Sequence, residues 1–241
     1  MPVKFEDILR WTSQEASERL SSSDEEIAEI MKVAADGGLA DAQALYGQML
    51  LDGKGVARNP AEALRRFSDA AHAGHVMAMN MVGRCCEHGW GTRVDAALAA
   101  KWYEVAAERG LDWGMYNLAT LHCLGRGVAL DHQKAHDLFA RAAGLGHVKS
   151  LNMLGGFHED GWVVAQDMKA AAALYHRAAE GGDFRGMFNH ARMLIDAGDI
   201  DGATAWLNKL PACATADFMD KVRNWLENRT EPALKALAFN L

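Results

Sequence analysis

A glycine-alanine pattern returns every 36 residues along this chain, and that period constrains the fold more than any other feature. Gly53 and Gly55 recur as Gly89 and Gly91, then as Gly125 and Gly127, and a fourth time as Gly161 with Val163 in the second place. Ala70-Ala71, Ala106-Ala107, Ala142-Ala143 and Ala178-Ala179 keep the same spacing, as do Gly74, Gly110, Gly146 and Gly182. Self-similarity at a fixed period of roughly 20 to 50 residues means supersecondary units stacked side by side, each too small to bury its apolar face alone. A compact globule around one central core is excluded.

The copy from Ala78 to Gly110 shows the unit. Ala78, Met81, Val82 and Cys85 or Cys86 fall at helical spacing. Gly89 ends that helix, because glycine accepts the left-handed backbone past a C-cap. A GWGTRV turn follows, and Asp95 stands where an N-cap belongs, with Asn59, Asp131 and Asp167 in the same column. Asn59 precedes Pro60, which suits a first helical position. The second helix, AALAAKWYEVAAER, turns Ala99, Tyr103, Ala106 and Ala107 inward, and Phe67, Phe139 and Tyr175 match its ring. One large ring against small alanines lets two helices approach closely. Each unit therefore reads as an antiparallel helix pair.

The copies GMYNLATLHCLGRGVALDHQKAHDLFARAAGLG and SLNMLGGFHEDGWVVAQDMKAAAALYHRAAEGG, with KWYEVAAERG from the copy before, resemble the Sel1-like repeat, a relative of the tetratricopeptide repeat. Four such copies cover residues 42–185. The resemblance implies an all-α, right-handed α-solenoid acting as an adaptor or scaffold. The ends depart from the pattern. In residues 1–41, a stretch over 24–38 reads as a second helix without its first, and a helix over roughly 4–20 stands in as its partner. In residues 186–241, a degenerate copy replaces the Gly-x-Gly turn with AGDIDGA, and 214–240 carry no repeat signature. Both ends are expected to be caps.

By similarity to the tetratricopeptide repeat, the first helices line a concave face. Asn80, Arg84, Tyr116, Asn117, Thr120, Asn152, Asn189 and Arg192 fall on it. Asparagine amides clamp a peptide backbone without reading side chains, and arginines take carboxylates bidentately. These residues are the candidate groove for an extended peptide or protein partner. The alternative is a solvated face on which asparagine is simply tolerated. Trp90 and Trp162 replace Lys54 and Arg126 in the turns, each either packed over the neighbouring unit, the favoured reading, or exposed as an anchor.

The net charge of −7 argues against nucleic acid or an anionic membrane as the partner. No run approaches the ~20 apolar residues that span a bilayer. The opening MPVKFEDILRW places Glu6 and Asp7 where a secretory signal needs an apolar core. Cys85, Cys86, Cys123 and Cys213 form no paired framework, so a reducing cytoplasm is expected.

Cys86, His122 and His158 share one column, and Leu50 holds it in the first copy. Helices stacked about 8–10 Å apart bring two such side chains to one zinc ion but not a third. Smaller residues replacing a packed tyrosine is the favoured reading. No nucleophile elbow, phosphate-binding loop or dinucleotide fingerprint is present, so no cofactor and no catalysis are expected. Two other classes stay open: a metal- or redox-responsive regulator using that column, and a structural subunit that binds through its terminal helices.

Overall fold

The computed structural model describes residues 3–229 and 231–238. Among them every regular element is helical, with no strand. The residues fall into two compact units divided after Asp131. The ends of the expected caps, Met1, Pro2, Thr230 and residues 239–241, lie outside the described residues.

The first unit opens with α1 (Phe5–Ile8) and α2 (Ser13–Arg19). The single helix expected over roughly 4–20 is thus broken, because Thr12 and Glu15 form a reciprocal capping box that starts a new helix at Ser13. Next comes α3 (Asp24–Asp36), the expected second helix without its first. Two full pairs follow: α4 (Ala40–Asp52) with α5 (Pro60–His72), and α6 (Val76–His88) with α7 (Ala96–Glu108). The unit closes with α8 (Asp112–Leu124). From α3 to α8, each helix packs on the next.

The second unit begins within the third copy, at α9 (His132–Gly144). It continues with α10 (Val148–Asp160), α11 (Met168–Glu180), α12 (Phe184–Asp196) and α13 (Ile200–Leu207). After a short 3-10 turn at Leu210–Ala212 come α14 (Ala216–Glu227) and α15 (Pro232–Ala238). Leu207, Leu210, Val222, Leu226 and Leu234 join Met187, Ala191 and Ile195 of α12 in one apolar cluster, so these helices cover the end of the last repeat.

Local chemistry sets these boundaries. Asn59, Asp95 and Asp167 each accept a backbone N–H from the first turn of the helix they precede, as expected. Gly53, Gly89, Gly125 and Gly161 end α4, α6, α8 and α10 with φ between 61 and 74°. Two first helices, α6 and α12, use another cap: His75 accepts the Ala78 amide through Nδ1 at 3.0 Å, and Asp183 accepts that of Gly186 at 2.8 Å.

The aromatic column lies on the buried face of each second helix. Phe67, Tyr103, Phe139 and Tyr175 are fully or almost fully buried, and each burial contributes about 1.5–3 kcal/mol. The alanines of the second helix are buried with them, as expected, but the close approach depends more on glycines of the first helix. A Cβ at Gly83 would stand 2.6 Å from Tyr103, and one at Gly47 would stand 2.9 Å from Phe67.

Candidate functional site

First helices carry a stripe at i, i+4, i+7 and i+11, which in α4 is Asp41, Leu45, Gln48 and Asp52. In the first unit this stripe exposes four large apolar side chains among polar ones. Leu45 is 57% exposed, Met77 41%, Trp113 37% and Leu124 56%, each at a stripe position of α4, α6 or α8. Trp113 and Tyr116 meet edge to face at 6.1 Å. In the second unit the same positions hold Lys149, Met153, Gly156 and Asp160 on α10, and Arg185, Asn189, Arg192 and Asp196 on α12. That stripe is charged.

Asn80 and Asn152 stand elsewhere than a peptide clamp requires. Asn80 is 2% exposed and Asn152 8%, and both are buried. Asn117 donates through Nδ2 to Asn80 Oδ1 at 2.8 Å, and Asn189 donates to Asn152 in the same way at 2.8 Å. Each amide pair ties one first helix to the next. A solvated face does not describe Asn80 and Asn152 either, because their amides sit inside the contact between first helices.

Arg192 is drawn into the same frame. It forks onto Glu159 at 3.1 and 2.9 Å and donates through Nε to Asn189 at 3.2 Å. The Tyr175 hydroxyl donates to Glu159 at 2.6 Å. Burial pushes the Glu159 carboxyl up, but the hydrogen bonds from Arg192 and Tyr175 outweigh it, so its pKa lies below the ordinary value. Burial and the Glu159 contact hold the Tyr175 hydroxyl above its usual range, as burial and Glu87 do for Tyr103. Tyr103 donates to Glu87 at 2.7 Å, and Arg126 lies 3.6 Å from that carboxylate.

Arg84 is half-buried over the Trp90 ring at 5.0 Å, and Thr120 donates back to the Tyr116 carbonyl at 2.9 Å. Trp90 also stacks on His88 at 4.8 Å, so it is packed against its own first helix. Trp162 rests on His132 at 4.9 Å but stays 51% exposed, so packing alone does not describe it. Beside it, Val163 holds φ at 67° where the sibling turns have glycine.

The buried frame left a signal that residue-by-residue reading passes over. Asn80 and Asn152, Asn117 and Asn189, Glu87 and Glu159, Tyr103 and Tyr175, and Trp90 and Trp162 are each 72 residues apart, two periods rather than one. Copies with tyrosine carry the glutamate that receives its hydroxyl. Copies with phenylalanine carry Leu51 or Cys123 there.

Cys86 is buried, and burial raises its pKa. His122 is buried, with Nδ1 donating to the Ala129 carbonyl at 3.2 Å. His158 is half-buried with Nδ1 unpartnered. Among the described residues, no group of three or more His, Cys, Asp or Glu side chains is placed to hold a metal ion. Burial and the adjacent Cys86 push the Cys85 thiol up to about 12, and burial raises that of Cys123. Cys213 alone among the four is exposed. The native chain is therefore expected to release one rapid equivalent with a thiol-exchange reagent at pH 8, and none in Cys213→Ser. Two or more rapid equivalents would mean that Cys123 or the buried Cys85 and Cys86 open readily.

Helix pairs of one repeated design, packed consecutively, define an α-solenoid repeat protein. The Sel1 repeat profile matches residues 40–75, 76–111, 114–147 and 148–183, well over half of the sequence, and the chain belongs to the Sel1 repeat family. Proteins of this family are generally interaction scaffolds and typically non-catalytic. The fold is similar to that of a Sel1 repeat protein from Oxalobacter formigenes, at 22% identity and TM-score 0.76, over 90% of this chain and 92% of that one. It is also similar to a protective antigen present in uropathogenic Escherichia coli strains, at 25% identity and TM-score 0.69. That match covers 90% of this chain but only 48% of the antigen, so the chain spans about half the antigen's length. An immunity protein from Pseudomonas aeruginosa is 19% identical with TM-score 0.58, over 83% of this chain and 75% of that one. Among the described residues, no helix is long and apolar enough to cross a membrane.

Proposed function

We propose that this chain is a non-catalytic adaptor whose first-helix face in the first unit takes an apolar segment of a protein partner. The observation that carries this reading is the set of Leu45, Met77, Trp113 and Leu124, four large apolar side chains held open along one stripe, Met77 and Trp113 at the same register. Exposed apolar groups gathered on one face mark interaction surfaces, and tryptophan is enriched among residues that dominate binding. Gln48, Arg84, Asn117 and Thr120 lie on the same stripe, with Tyr116 beside it, and supply polar contacts. Asn80, Asn152, Asn189 and Arg192 act behind the surface by fixing the spacing of first helices. The reading places the chain in the cytoplasm, where four free thiols persist.

Crosslinking mass spectrometry in lysate identifies the partner, and purified components then give the affinity. Trp113→Ala and Leu45→Asp are each expected to weaken binding about tenfold or more, with the unfolding temperature unchanged. Full affinity in both variants, with loss on deleting residues 214–241, would move the interface to the terminal helices and overturn the reading.

A further inference from the structure

The last family repeat meets the C-terminal helices at a pair of histidines. His176 on α11 and His190 on α12 bring Nδ1 and Nε2 to 3.1 Å, with ring centroids 4.5 Å apart. Trp206 of α13 stands edge-on to both rings, at 6.1 and 5.5 Å. The far nitrogen of His176, Nε2, lies 3.4 Å from Glu180 on α11. From the segment after α13, the Lys209 ammonium sits 3.5 Å over the Trp206 ring. Glu159 of α10 is committed to Arg192 and Tyr175. The remaining nitrogen of the pair, Nδ1 of His190, is buried without a hydrogen-bond partner.

Proton placement follows from these contacts. With both rings neutral, His190 Nε2–H donates to His176 Nδ1, and His176 Nε2–H lies beside the Glu180 carboxylate on a side open to solvent. Every N–H is then satisfied, and His190 Nδ1 is a bare lone pair. A proton added to His176 puts a hydrogen on its Nδ1, so His190 must accept through Nε2 and carry its own hydrogen on Nδ1. A proton added to His190 puts a hydrogen on Nδ1 directly. Both charged forms thus leave a buried N–H without an acceptor, the costly way to bury a polar group. Burial and the neighbouring His176 accordingly hold the His190 pKa below its ordinary value, against the pull of Glu180. A depressed histidine gives stability that is complete above its unfolded value, near pH 6.5, and is lost as pH falls below it.

We propose that the His176–His190 pair is an acid-sensitive latch, whose protonation loosens α13 to α15 from the last repeat and uncovers the apolar face of Met187, Ala191 and Ile195. This device is independent of the first-helix stripe and acts at the other end of the chain.

Hydrogen exchange on the full chain at pH 7.5 and 5.5, corrected for intrinsic rates, tests it. Amides of α13 and α14 are expected to gain several-fold, at most about tenfold, in exchange at pH 5.5 relative to those of α9 and α10, the limit set by a histidine that stays neutral when folded one pH unit below its unfolded value. His190→Gln and His176→Gln should each flatten that ratio. An unchanged ratio in the natural chain, or the same acid response in both variants, would overturn the latch. Imidazole titration by NMR gives a check that needs no substitution: His190 protonating at or above pH 6.5 would overturn it too.

Discussion

Gly91→Val is expected to lower the unfolding temperature of the full chain by about 10 °C, while Val163→Gly at the equivalent turn raises it slightly. Gly91 has φ of 75°, and a Cβ there would overlap the Pro60 carbonyl and crowd the Ala61 backbone. Both obstacles are main chain, so no rotamer change relieves them. Left-handed strain costs about 1–3 kcal/mol in a residue with a side chain, and forced overpacking adds about 1–3 kcal/mol. In a chain of this length each kcal/mol moves the midpoint by about 2–4 °C. Val163 bears the strain alone, half-exposed at φ of 67°. Replacing it with glycine removes that strain and adds freedom to the unfolded chain, for a net gain of about 1 kcal/mol or less. Calorimetry on both variants decides the matter. A Gly91→Val midpoint within a degree of the natural chain would show that the turn is not pinned against α5.

Arg192→Met is expected to lower stability by about 2–3 kcal/mol in urea unfolding, a figure reduced from the fully buried case because the Arg192 and Glu159 side chains are 24 and 23% exposed. The loss comes from a carboxylate left in a half-buried place with Tyr175 as its remaining donor. Adding Glu159→Gln should recover part of it, since a neutral amide needs no cation. The acid response gives a second readout. Glu159 titrates below its ordinary value, so the contribution is present above about pH 4.5 and disappears as pH falls through the lower, folded value. Arg192→Met should flatten that limb. A steep limb in the variant would assign the acid loss to other carboxylates.

Much of this architecture is legible in the residues themselves. The 36-residue spacing, Asn59, Asp95 and Asp167 as caps, and the inward rings all mark the helix pairs, because each rests on contacts within one or two neighbouring helices. The break after α1 is also legible, in the Thr12-x-x-Glu15 spacing of a capping box, a signal that a single helix over 4–20 passes over. The division after Asp131 was hidden, since the repeat spacing runs through it without a gap. The candidate surface was read less well. Asn80 and Asn152 were expected at a peptide groove because polar residues on a helix face suggest water or a ligand, yet their partners lie one helix away in the same protein. Arg84, Tyr116 and Thr120 stay at or near the surface, while the large apolar members of the stripe drew no notice as a set.

The amide pairs bear on folding fidelity. Near-identical modules joined in a line are prone to misthreading, with one plate skipped or borrowed from another molecule, because most plates fit most neighbours. Here the mating surfaces alternate: Asn80 meets Asn117 and Asn152 meets Asn189, whereas the matching slots elsewhere hold Leu45, Met81 and Met153. A skipped plate would press an unsatisfied amide against a hydrocarbon chain. Every second junction thus disfavours the loss of a single plate, which would set Asn80 against Met153.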